Sequence, residues 1–125
     1  MTTPAECQFS ETHEWYRIEG DIVTVGITQF AANELTDITT VEMQDDGTTV
    51  EIGESLGEVE SVKTTSDINS AFVGKIVESN PAVVDDPSIL NSDPYGNGWL
   101  VKVRVQETGV EGLMDQETYD SKYPV

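Results

Sequence analysis

Apolar and polar positions alternate over short runs through most of the chain, and turn residues separate the runs. Trp15-Tyr16-Arg17-Ile18 and Ile22-Val23-Thr24-Val25-Gly26-Ile27 are joined by Glu19-Gly20-Asp21. Two β-prone runs around a Gly-containing turn predict a hairpin. Thr28 then offers a helix N-cap, and the following residues through Leu35 suit a short helix with Phe30, Ala31 and Leu35 on its buried face. Thr39 to Met43 reads as a strand closed by Asp45-Asp46-Gly47, because Asp-Gly tolerates the positive φ of a tight reversal. Thr49 to Ile52 and Leu56 to Val62 follow, the second without strict alternation and with Gly57 marking a bulge or close packing.

Beyond Lys63, Ile68 begins a return path. Ala71 to Ser79 is strand-rich, and Asn80-Pro81 ends it. Pro87 to Asn91 suggests one helical turn. Trp99-Leu100-Val101-Lys102-Val103-Arg104-Val105 is the clearest strand, and the tail from about Gly112 to Tyr123 suits a helix. Many short strands at turn-bounded intervals predict a mainly β fold, a sandwich or flattened barrel with short helices. Nothing resembling a linker divides the chain, and its 125 residues fit one domain.

Charge narrows the function. Six Lys and Arg stand against 24 Asp and Glu, a formal net charge of −18. Phosphates would repel such a surface, which argues against nucleic acid and anionic membranes as partners. Partners with basic patches, or solubility at high salt, fit it better. One cysteine, Cys7, excludes an intramolecular disulfide and reads as an inert, buried thiol. No apolar stretch approaches the roughly 20 residues that span a bilayer, and the N-terminal residues lack the regions of a secretory signal. A soluble, cytoplasmic protein is expected.

Catalytic constellations are hard to find. His13 is the single histidine, with no local support for a triad. One His and one Cys are a poor start for a zinc site. Asp93-Pro94-Tyr95-Gly96-Asn97-Gly98 has the outline of a calcium loop, but Tyr95 stands where a ligand oxygen is needed and Arg104 stands where the closing Glu belongs. Lys63 remains. It lies between two hairpin-like strands, in Glu60-Ser61-Val62-Lys63-Thr64-Thr65-Ser66-Asp67. A lysine on a turn is ordinarily a solvated charge. Its long, exposed side chain also suits a tethered arm that samples several partner sites at raised effective concentration.

Five collinear blocks go further. They are Thr12-His13-Glu14-Trp15, Val25 to Ala31, Gly57 to Asp67, Gly74 to Asn80 and Asn91 to Leu100. In this order and spacing they resemble the H-protein family of the glycine cleavage system over about Phe9 to Tyr123. The resemblance implies a fold similar to lipoyl and biotinyl domains, two facing antiparallel sheets with the modified lysine at a hairpin tip. It implies a non-catalytic carrier with lipoate on Lys63, installed by a lipoate ligase or lipoyl transferase. It implies as partners a pyridoxal-phosphate glycine decarboxylase, a folate-dependent aminomethyltransferase and dihydrolipoamide dehydrogenase. The loaded arm is expected to fold back into a cleft at Thr12, Glu14 and Asp67. The alternative reading of Glu14 and Asp67 is as ordinary surface acids. Glu60 is expected to help orient the lysine loop.

The chain departs from the family pattern at Leu35-Thr36-Asp37, where a Gly usually follows the Leu, at Met43-Gln44, which lacks the usual Leu-Pro, and at Ser70-Ala71-Phe72, which lacks the usual Pro. Two other readings share the fold: a lipoyl relay to oxo-acid dehydrogenases, and a binding module without the modification. Biotin carriage fits less well, since Val62 and Thr64 flank the lysine where biotin sites usually have Met.

Overall fold

The structure, a computed structural model, describes residues 6–106 and 112–124. Its elements run β1 (Cys7–Phe9), β2 (Glu14–Glu19), β3 (Ile22–Ile27), α1 (Gln29–Leu35), β4 (Ile38–Met43), β5 (Thr49–Val50), β6 (Ser55–Ser61), β7 (Thr65–Asn69), β8 (Gly74–Ser79), α2 (Pro81–Asp85), α3 (Ile89–Ser92), β9 (Val101–Val105) and α4 (Gln116–Lys122). One sheet has six strands in the order β1-β2-β3-β9-β8-β5, the other three in the order β4-β6-β7. Every pairing is antiparallel.

Alternation along the strands sends one apolar face of each sheet into a common core. Tyr16, Val23, Val25, Ile27, Ile76, Val101 and Val103 come from the large sheet; Val41, Leu56, Val59 and Ile68 come from the small one. Burying such side chains contributes about 2 kcal/mol each. A second apolar cluster lies on the far side of β2, where Trp15 points away from its neighbours Glu14 and Tyr16. Cys7, Phe9, Trp15, Tyr95, Met114 and Tyr119 form it, and α4 and the loop around Tyr95 cover it. The Trp15 indole lies on Gly26, its cross-strand partner. A Cβ at Gly26 would sit 2.5 Å from that ring, so glycine is required there.

Local chemistry sets the helix ends. Thr28 caps α1 as expected, its hydroxyl accepting from the Ala31 amide at 3.2 Å. The buried residues of α1 are Ala32 and Leu35. Phe30 instead turns toward His13, 4.6 Å between ring centroids, so the helical face read from sequence is rotated by about one residue. Asn80-Pro81 ends β8 but also starts α2, which the sequence reading missed. Pro81 takes the first helical turn, where its missing N–H costs nothing. Asn80 caps the helix through Ala82 and ties it to the carbonyls of Asn97 and Trp99, both at 2.8 Å. The tail helix is shorter than expected, because residues before Asp115 pair with β1 instead: Phe9 and Met114 exchange both backbone hydrogen bonds.

Thr36, one of the departures from the family pattern, closes α1 with φ 63° and ψ −137°. A β-branched residue is strained there, at a cost of about 1–3 kcal/mol. Glycine relieves that strain while adding entropy to the unfolded chain. Thr36→Gly is expected to stabilise the protein by about 1 kcal/mol net, measured by urea unfolding; a loss of stability would show that the corner is unstrained.

The exposed face of the small sheet carries a row of like charges. Glu42 pairs with Glu58, and Glu58 with Asp67, directly across the strands. Like charges in that position destabilise a sheet. Screening should relieve them: the Debye length falls from about 10 Å at 0.1 M salt to about 3 Å at 1 M. The melting temperature is expected to rise with sodium chloride over this range, and Glu58→Gln should raise it at low salt and weaken the response. A response unchanged in Glu58→Gln would mean the row costs nothing.

Candidate functional site: a lysine on a clamped hairpin

β6 and β7 form a hairpin whose tip is Val62-Lys63-Thr64, and all three residues are exposed. Val62 is 69% exposed, unusual for an aliphatic side chain, and stands beside the lysine. The tip is tied down from two sides. Inside, the Ser61 hydroxyl accepts from the amides of Lys63 and Thr64 and donates to the Thr64 carbonyl, each at 3.1 Å. Outside, the Val62 amide donates to the Asp37 carbonyl at 3.1 Å, and the Thr39 hydroxyl donates to the Glu60 carbonyl at 3.2 Å. Lys63 Nζ donates to the Glu34 carbonyl at the end of α1, at 3.2 Å. Cationic donors suit that end of a helix, where the carbonyls lack partners. Among the described residues, Lys63 forms no salt bridge.

The remaining candidates behave differently from one another. Glu14 is 1% exposed, so the surface-acid reading is wrong for it. Its Oε1 accepts from the Ser10 and Thr12 hydroxyls. Its Oε2 accepts from the backbone amide and side-chain amide of Asn69, at 3.2 and 3.4 Å. A buried carboxylate needs such donors, since an unpaired one costs several kcal/mol. Tyr16, next on the same face of β2, donates to the Asn69 carbonyl at 2.6 Å. Burial, reinforced by the Glu14 charge, holds the Tyr16 phenol well above its ordinary range. The structure therefore brings Thr12 and Glu14 together, with Ser10 and Asn69 as partners the sequence reading did not find. Asp67 lies on β7 two residues from Asn69 and is exposed. No hydrogen bond or ion pair joins it to Glu14 or Thr12 among the described residues. Glu60 is exposed as well, and its carbonyl accepts from the Thr39 hydroxyl.

His13 and Cys7 are held by packing and hydrogen bonds within the fold. His13 Nδ1 is 2.8 Å from the Tyr119 hydroxyl, which is 2.7 Å from the Thr28 hydroxyl. This chain of hydrogen bonds pins α4 to the start of α1. Burial lowers the His13 pKa from its ordinary value. Burial also raises the Cys7 thiol to about 11, so it carries no thiolate at neutral pH. None of the helices is long and apolar enough to cross a membrane among the described residues.

Two antiparallel sheets closed over one core, with a lysine exposed at a clamped hairpin tip, are the architecture of a carrier module. The whole chain has close relatives of that kind. The family model described as Glycine cleavage H-protein matches residues 7–124. Glycine cleavage system H proteins from Thermobifida fusca and Bacteroides fragilis are 48% identical over 119 residues and 42% identical over 120. Each alignment covers 95% of this chain, and 94% and 95% of the respective relative. The crystal structure of a glycine cleavage system H protein from Mycobacterium marinum superposes with a TM-score of 0.89 at 41% identity, covering 98% of this chain and 100% of that one. The chain belongs to the glycine cleavage H-protein family. It is a lipoyl carrier of the glycine cleavage system, a subunit that is not itself catalytic.

Proposed function

We propose that Lys63 bears the lipoyl group and that the arm carries the aminomethyl group of glycine between enzymes. The observation that carries this reading is the exposed lysine at the tip of a hairpin whose backbone is held on both sides. A fixed base with a long mobile arm restricts the search of the reactive end without immobilising it. In this reading a pyridoxal-phosphate glycine decarboxylase loads the arm, a folate-dependent aminomethyltransferase unloads it, and dihydrolipoamide dehydrogenase reoxidises the dithiol. A lipoate ligase or lipoyl transferase joins lipoate to Nζ as an amide, which removes the lysine charge.

Thr12, Glu14 and Asp67 are the residues proposed to receive the loaded arm as it folds back. Its ammonium meets the exposed Asp67 carboxylate first, a charge-assisted contact. It reaches Glu14 only by displacing a hydroxyl or amide donor that already fills the carboxylate. Peptide mapping by mass spectrometry of the protein purified from its native host tests the attachment point. Lipoyl mass on the Lys63 peptide is expected; lipoyl mass on Lys75 or Lys102, or on no lysine, overturns the reading.

A further inference from the structure

We infer that Ser61 is the positioning residue for modification of Lys63, its hydroxyl holding the hairpin tip in the backbone shape that presents the amine. The inference rests on Lys63 being the attachment point. Three exposed residues at a hairpin tip have little packing to order them, and such segments open at low free-energy cost. Order must come from backbone hydrogen bonds. The tip has three amides to satisfy. Val62 donates to Asp37, and both Lys63 and Thr64 donate to the single Ser61 hydroxyl. That hydroxyl also donates to the Thr64 carbonyl, so its one donor and two acceptor sites are all used within the tip. Ser61 is itself buried, 7% exposed, at the end of β6 with Ile38 opposite. The hydroxyl is therefore anchored in the body and reaches outward to fix the loop. Glu60, the residue expected to orient the loop, is exposed, and its carbonyl accepts from the Thr39 hydroxyl.

The reaction needs this order. The acyl carbon of a lipoyl adenylate bonds to Nζ, its bond to the phosphate oxygen breaks, AMP leaves, and Nζ releases protons to solvent. The amine must first leave the Glu34 carbonyl and enter the ligase along a defined direction. A tip that samples many shapes binds with an affinity reduced by the fraction in the competent one. Loss of the hydroxyl therefore acts on KM for the carrier more than on kcat, because the chemistry begins after the tip is ordered.

The test uses the whole purified unmodified protein, lipoate, ATP and a lipoate ligase. Ser61→Ala should raise KM for the carrier about tenfold and leave kcat within about twofold. Ser61→Thr, which keeps the hydroxyl, should recover most of the loss. An unchanged KM in Ser61→Ala, a fall confined to kcat, or no recovery in Ser61→Thr overturns the inference. Amide hydrogen exchange on the wild-type protein covers the case in which Ser61→Ala does not fold. The Lys63 and Thr64 amides should exchange far more slowly than in a free peptide, and exchange at free-peptide rates overturns the clamp. A wild-type protein that stays unmodified while those amides are protected overturns the attachment reading instead.

Discussion

Lys63→Arg should leave the protein folded and abolish its carrier function. Arginine retains the charge and can still reach the Glu34 carbonyl, to which Lys63 Nζ donates. Its guanidinium stays protonated and is a poor nucleophile toward an acyl adenylate. The side chain is exposed on the tip, so its replacement should change stability by no more than about 0.5 kcal/mol. Intact mass should show no lipoyl adduct, and glycine-dependent transfer should fall by more than about 100-fold, equivalent to about 2.7 kcal/mol. Circular dichroism and the melting temperature should match the wild type. Transfer at a tenth of the wild-type rate or above would mean that another lysine carries the arm.

Glu14→Ala should cost stability first and docking second. Had Glu14 been a surface acid, its removal would have mattered by about 1 kcal/mol or less. The structure places it at 1% exposure with two hydroxyls and two amides donating to it. Alanine leaves those donors without an acceptor and opens a void beside Tyr16. Stranded buried donors cost about 1–3 kcal/mol each where water cannot replace the partner, and relaxation of Ser10 and Thr12 toward solvent recovers part of that. A net loss of about 3 kcal/mol is expected, read as a lower urea midpoint with an unchanged slope. Asp67→Ala, at an exposed position, should change stability little. A loss below about 1 kcal/mol in Glu14→Ala would return Glu14 to the class of surface acids. Loss of the aminomethyl adduct must then be compared at a temperature where both variants are fully folded.

The contrast between these two residues shows what the sequence could reveal. The exposed hairpin tip at Lys63 was legible because its information is local: strand signals on both sides and a turn between. Glu14 was not, because two of its four donors come from Asn69, 55 positions away. No period or spacing links β2 to the end of β7. The β2–β3 hairpin was legible for the same local reason, as were the cap at Thr28 and the strand at β9, although Trp99 and Leu100 fall before that strand. Helix α2 was missed because Pro81 signals an end of one element and a start of the next with equal force. The rotated face of α1 follows from its seven residues, too few for periodicity to fix a face when His13 and Tyr123 compete for Phe30. Ser61 left a signal that went unused, since a serine just before a turn commonly folds its hydroxyl back on the backbone.

A protein of two open sheets has four strand edges at which copies could join into larger aggregates. Each edge here is blunted in a different way. β1 is three residues long and already bridged to Met114. β5 is two residues long, too short to template a partner. β4 breaks register between Ile38 and Thr40, which bends it, and points Glu42 outward. β7 presents Asp67, and at its end Glu14 and Tyr16 take up the amide and carbonyl of Asn69. A carrier module built this way offers no long, open edge at which one copy could add to the next.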